Sequence, residues 1–398
     1  MKSDFFIGVD VSKETFSIAG IDGGGTKLFN ASYVMDSSGF AEFIKAIKAH
    51  VSDLQQAVVG MESTGCYHIN LFSFLVSEGI DAVVINPLLI ANFAKLSLRK
   101  TKTDRKDATT IARFLLAHRD SVCRMAVPMD IQEMRDLSRE RESLCHMMAA
   151  TKTEIKRVLR ATFPELEGLC AVDTQVMLHF LQEFPSARLV KAAKPKAIQK
   201  ALQRKGVGTR LTYTADDIIR AAHNSVAIIS PAKELILSGK IATLEHFEQR
   251  YNELTKLLTD LCKAKMIEDF RIVTSIKGVN KKTAVPFLVE IGNIGNFNSC
   301  KQLVAYAGLD PAVHQSGKFV GTSKLSKRGN RHLRRVIYLM VRCAVQRRGV
   351  FRDYFLKRKK EGLEPQKALF ATAHKLLRVL FAMLTQRTHY RERQAMCR

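Results

Sequence analysis

Phe5-Phe6-Ile7-Gly8-Val9-Asp10 is a short apolar run that ends on a carboxylate, and Ala57-Val58-Val59-Gly60-Met61-Glu62 is a second run that ends the same way. Between them, Thr15 to Ile21 and Leu28 to Val34 read as two further strands around the Gly23-Gly24-Gly25 turn. Three strands joined by tight turns predict an antiparallel start. Phe40, Phe43, Ile44 and Ile47 then repeat at helical spacing after Ser37-Ser38-Gly39, a stretch able to cap a helix. Ile69 to Val76 reads as an amphipathic helix and Ala82-Val83-Val84-Ile85 as another buried strand. Buried strands alternating with helices predict a partly parallel sheet covered on both faces. The first domain, residues 1–125, is therefore expected to be α/β.

Beyond Pro87 the strand signal fades. Residues 103–118 and about 129–163 read as helical, the latter with Met134, Leu137, Leu144, Met148, Ile155 and Leu159 near one stripe. In about 231–268, Leu237, Leu244, Tyr251 and Leu258 recur every seven residues, as do Phe247, Leu254 and Leu261. That heptad-like spacing fits an antiparallel coiled-coil arm, folded on itself or dimerising, and it equally fits two ordinary core helices. A long-helix middle domain, 126–268, is thus expected, with an irregular insert at about 165–230. The last domain, 269–398, is expected to be mainly α. Its opening, Ser275-Ile276-Lys277-Gly278-Val279-Asn280-Lys281-Lys282, fits a helix-hairpin-helix whose turn amides approach phosphate, or a plain αα-turn. A Gly/Ser/Lys-rich loop follows Asp310-Pro311, and Arg331 to Arg348 and Leu369 to Leu384 read as helices.

Charge divides these parts further. The 398 residues carry a formal charge of +25, yet residues 1–100 are at net −2 and residues 301–398 at +18. So steep a gradient is the footprint of a polyanionic partner, nucleic acid first among them. No window approaches 18 uninterrupted apolar residues, which predicts no membrane span. Acids within Met1–Glu14 argue against a secretion signal. Eight widely spaced cysteines form no CxxC pair, so reduced thiols in a cytoplasmic protein are expected rather than structural zinc or disulfides.

Four carboxylates stand out by position. Asp10 and Glu62 end buried strands, where a twisted α/β sheet exposes its functional edge. Asp104 and Asp107 are three apart and share one helix face. Clustered anions repel unless divalent cations neutralise them, and hard oxygen ligands suit Mg²⁺. Two such ions can activate a nucleophile and stabilise a leaving oxygen in phosphoryl transfer. At the other end, Lys318, Lys324, Lys327, Arg328, Arg331, Arg334 and Arg335 form a basic loop running into a helix. Positions 327, 331 and 334 share a face if that helix begins early, giving a sequence-blind strip for phosphates. Lys277, Lys281 and Lys282 add basic groups at the hairpin-like turn.

Ile7-Gly8-Val9-Asp10-Val11-Ser12-Lys13, Met61-Glu62-Ser63-Thr64-Gly65 and Lys102-Thr103-Asp104-Arg105-Lys106-Asp107-Ala108 resemble the DEDD motif set of insertion-sequence transposases, relatives of the Piv-type DNA invertases. Ala307-Gly308-Leu309-Asp310-Pro311, Gln315-Ser316-Gly317 and Leu325-Ser326-Lys327-Arg328-Gly329-Asn330-Arg331-His332-Leu333-Arg334 are similar to that family's second domain. The resemblance covers roughly 1–125 and 270–385. It implies a RuvC/RNase H-like fold for the first domain, with Asp10, Glu62, Asp104 and Asp107 holding Mg²⁺. It also implies that Ser316 is a nucleophile forming a transient phosphoserine link to DNA. Ser323 and Ser326 compete for that role in the same loop, and a serine beside Gly317 is equally a turn residue. The family further implies a structured guide RNA, double-stranded DNA as substrate, and a homodimer or homotetramer.

Two other readings stay open on the residues. A RuvC-like metal-dependent structure-specific nuclease would use water in place of Ser316, and a non-catalytic nucleic-acid-binding protein would carry a decayed metal site. An actin-like sugar kinase has no need of +18 in its last 98 residues.

Overall fold

The computed structural model describes residues 5–51, 53–62, 67–85, 87–94, 104–118, 129–203, 212–312, 315–316, 319–320 and 324–392. Five strands build the first sheet: β1 (Phe5–Val11), β2 (Thr15–Asp22), β3 (Lys27–Val34), β4 (Ala57–Glu62) and β5 (Asp81–Ile85). Their order is β3-β2-β1-β4-β5. The first three strands form an antiparallel meander, and β4 and β5 add in parallel to β1. The reason lies in the connections. Tight turns return the chain antiparallel, whereas α1 (Ser37–Lys48) and α2 (His68–Ser77) provide the crossovers that parallel neighbours need.

Alternation along the strands splits the core in two. Phe5, Ile7, Val9 and Val11, with Ala57, Val59 and Met61, pack against Phe43, Ile44 and Ile47 of α1 and Leu71, Phe72 and Leu75 of α2. The opposite face offers Phe6, Val58, Val83 and Ile85 to Ile90 of α3 (Pro87–Ala94) and to Ile111, Phe114 and Leu115 of α4 (Asp104–Ala117). The mixed sheet with helices on both faces is thus as the strand pattern predicts.

The chain divides into two compact units, Met1–Glu133 with Glu268–Arg398, and Met134–Ile267. In the second, α5 (Met129–Thr162) and α11 (Pro231–Thr274) lie antiparallel. Arg141 sits 5.6 Å from the Tyr251 ring centre, and Lys152–Glu248 and Glu154–Lys240 pair at 3.6 and 3.8 Å, so numbers fall on one helix as they rise on the other. Met266 (φ −137°, ψ 38°) interrupts α11 one residue before the unit boundary.

Among the described residues, the stretch expected to be irregular holds five short helices, a correction to the sequence reading. It folds as α6 (Leu166–Leu169), α7 (Gln175–Glu183), α8 (Ala187–Ala192), α9 (Pro195–Leu202) and α10 (Ala215–His223). Their buried Phe180, Leu181, Val190, Ile198 and Ile218 share one core with Ile155 and Leu159 of α5 and Leu237, Ile241 and Leu244 of α11. These helices have four to nine residues, too few for a periodicity to register; caps define them instead. Thr174 and Ser186 accept hydrogen bonds from backbone N–H groups of the first turn, and Thr214 with Asp217 forms a capping box.

The C-terminal part of the first unit is mainly helical: α12 (Lys281–Ile291), α13 (Cys300–Tyr306), α14 (Arg331–Val345), α15 (Val350–Lys360) and α16 (Pro365–Gln386). Of the described helices, α16 is the one long and apolar enough to cross a membrane. Its apolar stripe, Leu376, Leu377, Leu380 and Leu384, is however buried in this helical core. Gly278 takes φ +92° in the turn before α12, and a Cβ there would lie 2.7 Å from the Cys343 carbonyl oxygen of α14. Among the described residues Cys145, Cys170, Cys262, Cys300 and Cys343 are in no disulfide.

Candidate active site

Backbone register brings the strand-end acids together. Parallel β1 and β4 pair Gly8 with Gly60 and Val9 with Met61, so the next step along both strands sets Asp10 level with Glu62. Neighbouring strands run roughly 4.8 Å apart. Asp10 follows Phe6 and Gly8 on one face of β1, and Glu62 follows Val58 and Gly60 on the same face of β4, the face covered by α4. Both acids are half-buried.

Gly8 sets how close α4 comes. A Cβ there would lie 2.0 Å from the Ala108 carbonyl oxygen, 2.4 Å from the Ala112 nitrogen and 3.0 Å from the Ile111 Cβ. The helix backbone therefore rests on the strand, which only glycine permits. Farther along α4, Leu115 lies over Gly60 and Leu116 beside Gly25 in the turn after β2, at the N-terminal end of β1. The helix runs antiparallel to β1, so its first turn lies at the strand end that carries Asp10. Asp104 and Asp107 stand one turn before Ala108 and Ile111, the residues that meet Gly8. Four carboxylate positions thus share one edge of the sheet. Asp107 is half-buried, and the side chain of Asp104 lies outside the described residues. Among the described residues no three His, Cys, Asp or Glu side chains form a metal-binding group.

Ser316 belongs to a nested pair of short hairpins. β6 (Pro311–Ala312) pairs with β9 (Lys324–Leu325), and inside them β7 (Gln315–Ser316) pairs with β8 (Phe319–Val320). Ser316 is opposite Phe319, next to the two-residue tip. Its side chain, that of Lys324, and all of Lys318 and Ser323 lie outside the described residues.

Hydrogen bonds hold the stem of this hairpin. The Ser326 hydroxyl donates to Asp310 Oδ1 at 2.5 Å, and the Ser326 N–H donates to the Asp310 carbonyl at 2.9 Å. Lys327 N–H reaches the Gly308 carbonyl, with Lys327 itself in the left-handed region at φ 53°. His374 Nε2 lies 3.0 Å from the Leu309 carbonyl, and burial pushes that imidazole below its usual range. Asn330 caps α14 by accepting from the N–H groups of His332 and Leu333, while its Nδ2 donates to buried Glu290 at 2.7 Å.

The basic residues separate by environment. The helix begins at Arg331, after the Asn330 cap, so Lys327 does not share its face. Arg334 turns inward, donating to the Ala307 carbonyl at 3.0 Å, and burial lowers its guanidinium from the usual value. Arg328 is exposed, as is Arg331, whose Nε approaches His332 at 3.3 Å; Arg335 is half-buried. Lys277 pairs with Glu392 at 2.8 Å, which raises its ammonium above the ordinary value. Lys281 and Lys282 are exposed at the start of α12, with Asn280 capping through the Lys282 N–H. Sequence reading missed Gly8, Asn330 and His374. A glycine inside a strand was a usable signal for the first; the other two work through partners dozens of residues away.

A family described as a transposase matches residues 7–164, and the transposase IS116/IS110/IS902 family matches residues 270–356. The insertion element IS116 protein of Streptomyces clavuligerus is 24% identical over 95% of this chain and 94% of its own. The pilin gene-inverting protein of Moraxella bovis is 23% identical over 98% and 99%. The transposase for insertion sequence element IS1111A of Coxiella burnetii is 25% identical over 98% and 92%.

Proposed function

This chain belongs to the IS116/IS110/IS902 transposase family and is a DNA-processing enzyme; from that premise we propose that it is an insertion-element recombinase that cuts and rejoins DNA through a serine. The observation that carries the reading is the register that sets Asp10 beside Glu62 at the end of the sheet to which α4 brings Asp104 and Asp107. The order β3-β2-β1-β4-β5, antiparallel then parallel, supports a RuvC/RNase H-like fold for this part.

The four carboxylate positions at this end of the sheet offer hard oxygen donors of the kind Mg²⁺ takes. Asp10, Glu62, Asp104 and Asp107 would hold such ions, two by the family resemblance, which would supply Lewis-acid stabilisation of phosphoryl oxygens. Ser316 is the nucleophile. Its oxygen forms a bond to phosphorus as its proton leaves to a base, and the P–O bond of the DNA strand breaks, the leaving sugar oxygen taking up a proton to become a hydroxyl. Attack by a second strand's hydroxyl reverses the exchange and returns the serine, so joining needs no ATP. The turn position of Ser316 beside a hairpin tip, on a stem held by Asp310, Ser326 and His374, suits a nucleophile carried on a braced loop. Arg328, Arg331 and Arg335, with Lys281, Lys282, Lys318, Lys324 and Lys327, serve double-stranded DNA and a structured guide RNA by backbone contacts. The enzyme acts in the cytoplasm as a homodimer or homotetramer.

Ser316→Ala tests the reading. Strand joining and a protein–DNA adduct on denaturing gels should both vanish, while Ser326→Ala retains the adduct with weaker yield. The Ser326–Asp310 hydrogen bond favours one rival, an activated Ser326; an adduct lost in Ser326→Ala but kept in Ser316→Ala would establish it. Cleavage undiminished in Ser316→Ala, with no adduct in the parent, would mark a nuclease.

A further inference from the structure

Helices α15 and α16 frame a groove of about 380 Å³ that neither the carboxylate edge nor the serine hairpin uses. Tyr354, Arg358, Ala371, His374, Lys375 and Arg378 line it. The spacing explains the convergence: Tyr354 and Arg358 are one turn apart on α15, and residues 371, 374, 375 and 378 form one face of α16. The Lys375 ammonium lies 4.5 Å from the centre of the Tyr354 ring and the Arg358 guanidinium 5.1 Å from it. Arg358 Nε also donates to the Tyr354 hydroxyl at 3.0 Å, which leaves that hydroxyl's own proton for another acceptor.

Negative charge is short here. Glu361 pairs with Arg358 at 2.8 Å and is shared with Lys357 at 4.0 Å. Among the described residues no carboxylate pairs with Lys375 or Arg378. Lys375 and Arg358 face the Tyr354 ring and Arg378 lines the same groove; like charges so placed repel, and an anion seated among them converts that repulsion to attraction. Lys375 caps the ring, so the tyrosine is no platform for a stacked base. The chemistry recognised is therefore a phosphate.

We propose that this groove is a phosphodiester subsite that takes one backbone phosphate of a nucleic acid between Lys375, Arg378 and the Tyr354 hydroxyl. His374 forms its wall and also binds the Leu309 carbonyl, two residues before β6. The subsite thus borders the stem of the serine hairpin and anchors the polynucleotide beside it. This rests on the reading of the chain as a nucleic-acid enzyme but not on the role of Ser316.

Fluorescence anisotropy with the full chain tests it, using a 40-base-pair DNA duplex and an RNA hairpin as probes over a salt series. Losing one phosphate contact should lower the slope of log K against log salt by about 1 and weaken binding about fivefold at 0.15 M salt. Lys375→Gln/Arg378→Gln should show that change with at least one probe, and the probe affected identifies DNA or RNA as the source. Lys375→Arg/Arg378→Lys, which keeps the charges, should restore the slope. Lys357→Gln/Lys367→Gln removes two exposed lysines of the same helices, each paired with a glutamate, and should leave the slope near the parent's. An unchanged slope in the groove variant, or an equal loss in the control pair, would overturn the subsite. Failure of the parent to bind either probe would instead overturn the nucleic-acid reading itself.

Discussion

Gly8→Ala adds one methyl group at the point where α4 rests on β1. The new Cβ would stand 2.0 Å from the Ala108 carbonyl oxygen and 2.4 Å from the Ala112 nitrogen, both backbone atoms that no rotamer change can move. Opening the nearer contact to 3.0 Å, below which Cβ contacts are essentially unknown, lifts the helix by about 1 Å, an overpacking strain of about 1–3 kcal/mol. Because α4 carries Asp104 and Asp107, the same displacement should cost about a hundredfold in strand cleavage. Gly60→Ala is the internal control. Its Cβ would meet Leu115 Cδ1 and Cδ2 at 2.8 Å and Cγ at 2.9 Å, side-chain rather than backbone atoms, so about 1 kcal/mol is expected. Hydrogen exchange of residues 5–11 and 104–117 reads local stability, and a cleavage assay reads the site. Gly8→Ala matching the parent in both, or Gly60→Ala proving the more damaging, would refute the close packing of α4 as the device that positions the acids.

Asn330→Ala removes the α14 cap and a hydrogen bond to buried Glu290, so about 2 kcal/mol should be lost in urea denaturation; a loss under roughly 1 kcal/mol, no more than the cap alone, would contradict it. Glu234 accepts hydrogen bonds from Arg188 at 2.7 Å and Ser186 at 2.6 Å, and Arg188 first, then Ser186, hold its carboxyl below the usual range. A lowered folded pKa stabilises above the unfolded value of about 4.3 and ceases to do so as pH falls through the folded value. Exchange in α8 and the start of α11 should accordingly rise on acidification below that point, and Glu234→Gln should remove the trend at a cost of about 2 kcal/mol; protection increasing toward acid would refute the pairing.

The sheet and its acidic edge were legible because their causes are local. Tight turns forced the meander, alternating burial marked the strands, and a carboxylate closing an apolar run announced Asp10 and Glu62. Other features depend on distant partners. Lys277 reads as a free phosphate contact until Glu392, 115 residues later, neutralises it. Arg334 reads as part of a basic strip, yet a carbonyl 27 residues earlier draws it inward. The helices of residues 166–223 escaped because each is too short to repeat its apolar face, and only their shared core fixes them. The groove of Tyr354, Arg358, Lys375 and Arg378 needed two helices to be set side by side.

On the proposed function, strands β1 and β4 and helix α4 assemble one cation-binding edge from Asp10, Glu62, Asp104 and Asp107. Titration of the full chain with Mn²⁺, followed by loss of the free-ion electron paramagnetic resonance signal, measures that directly. Saturable binding that Mg²⁺ displaces, and that weakens at least tenfold in both Asp10→Asn and Asp107→Asn, is the predicted result. Binding that both substitutions leave unchanged, or no saturable binding in the parent, would contradict it.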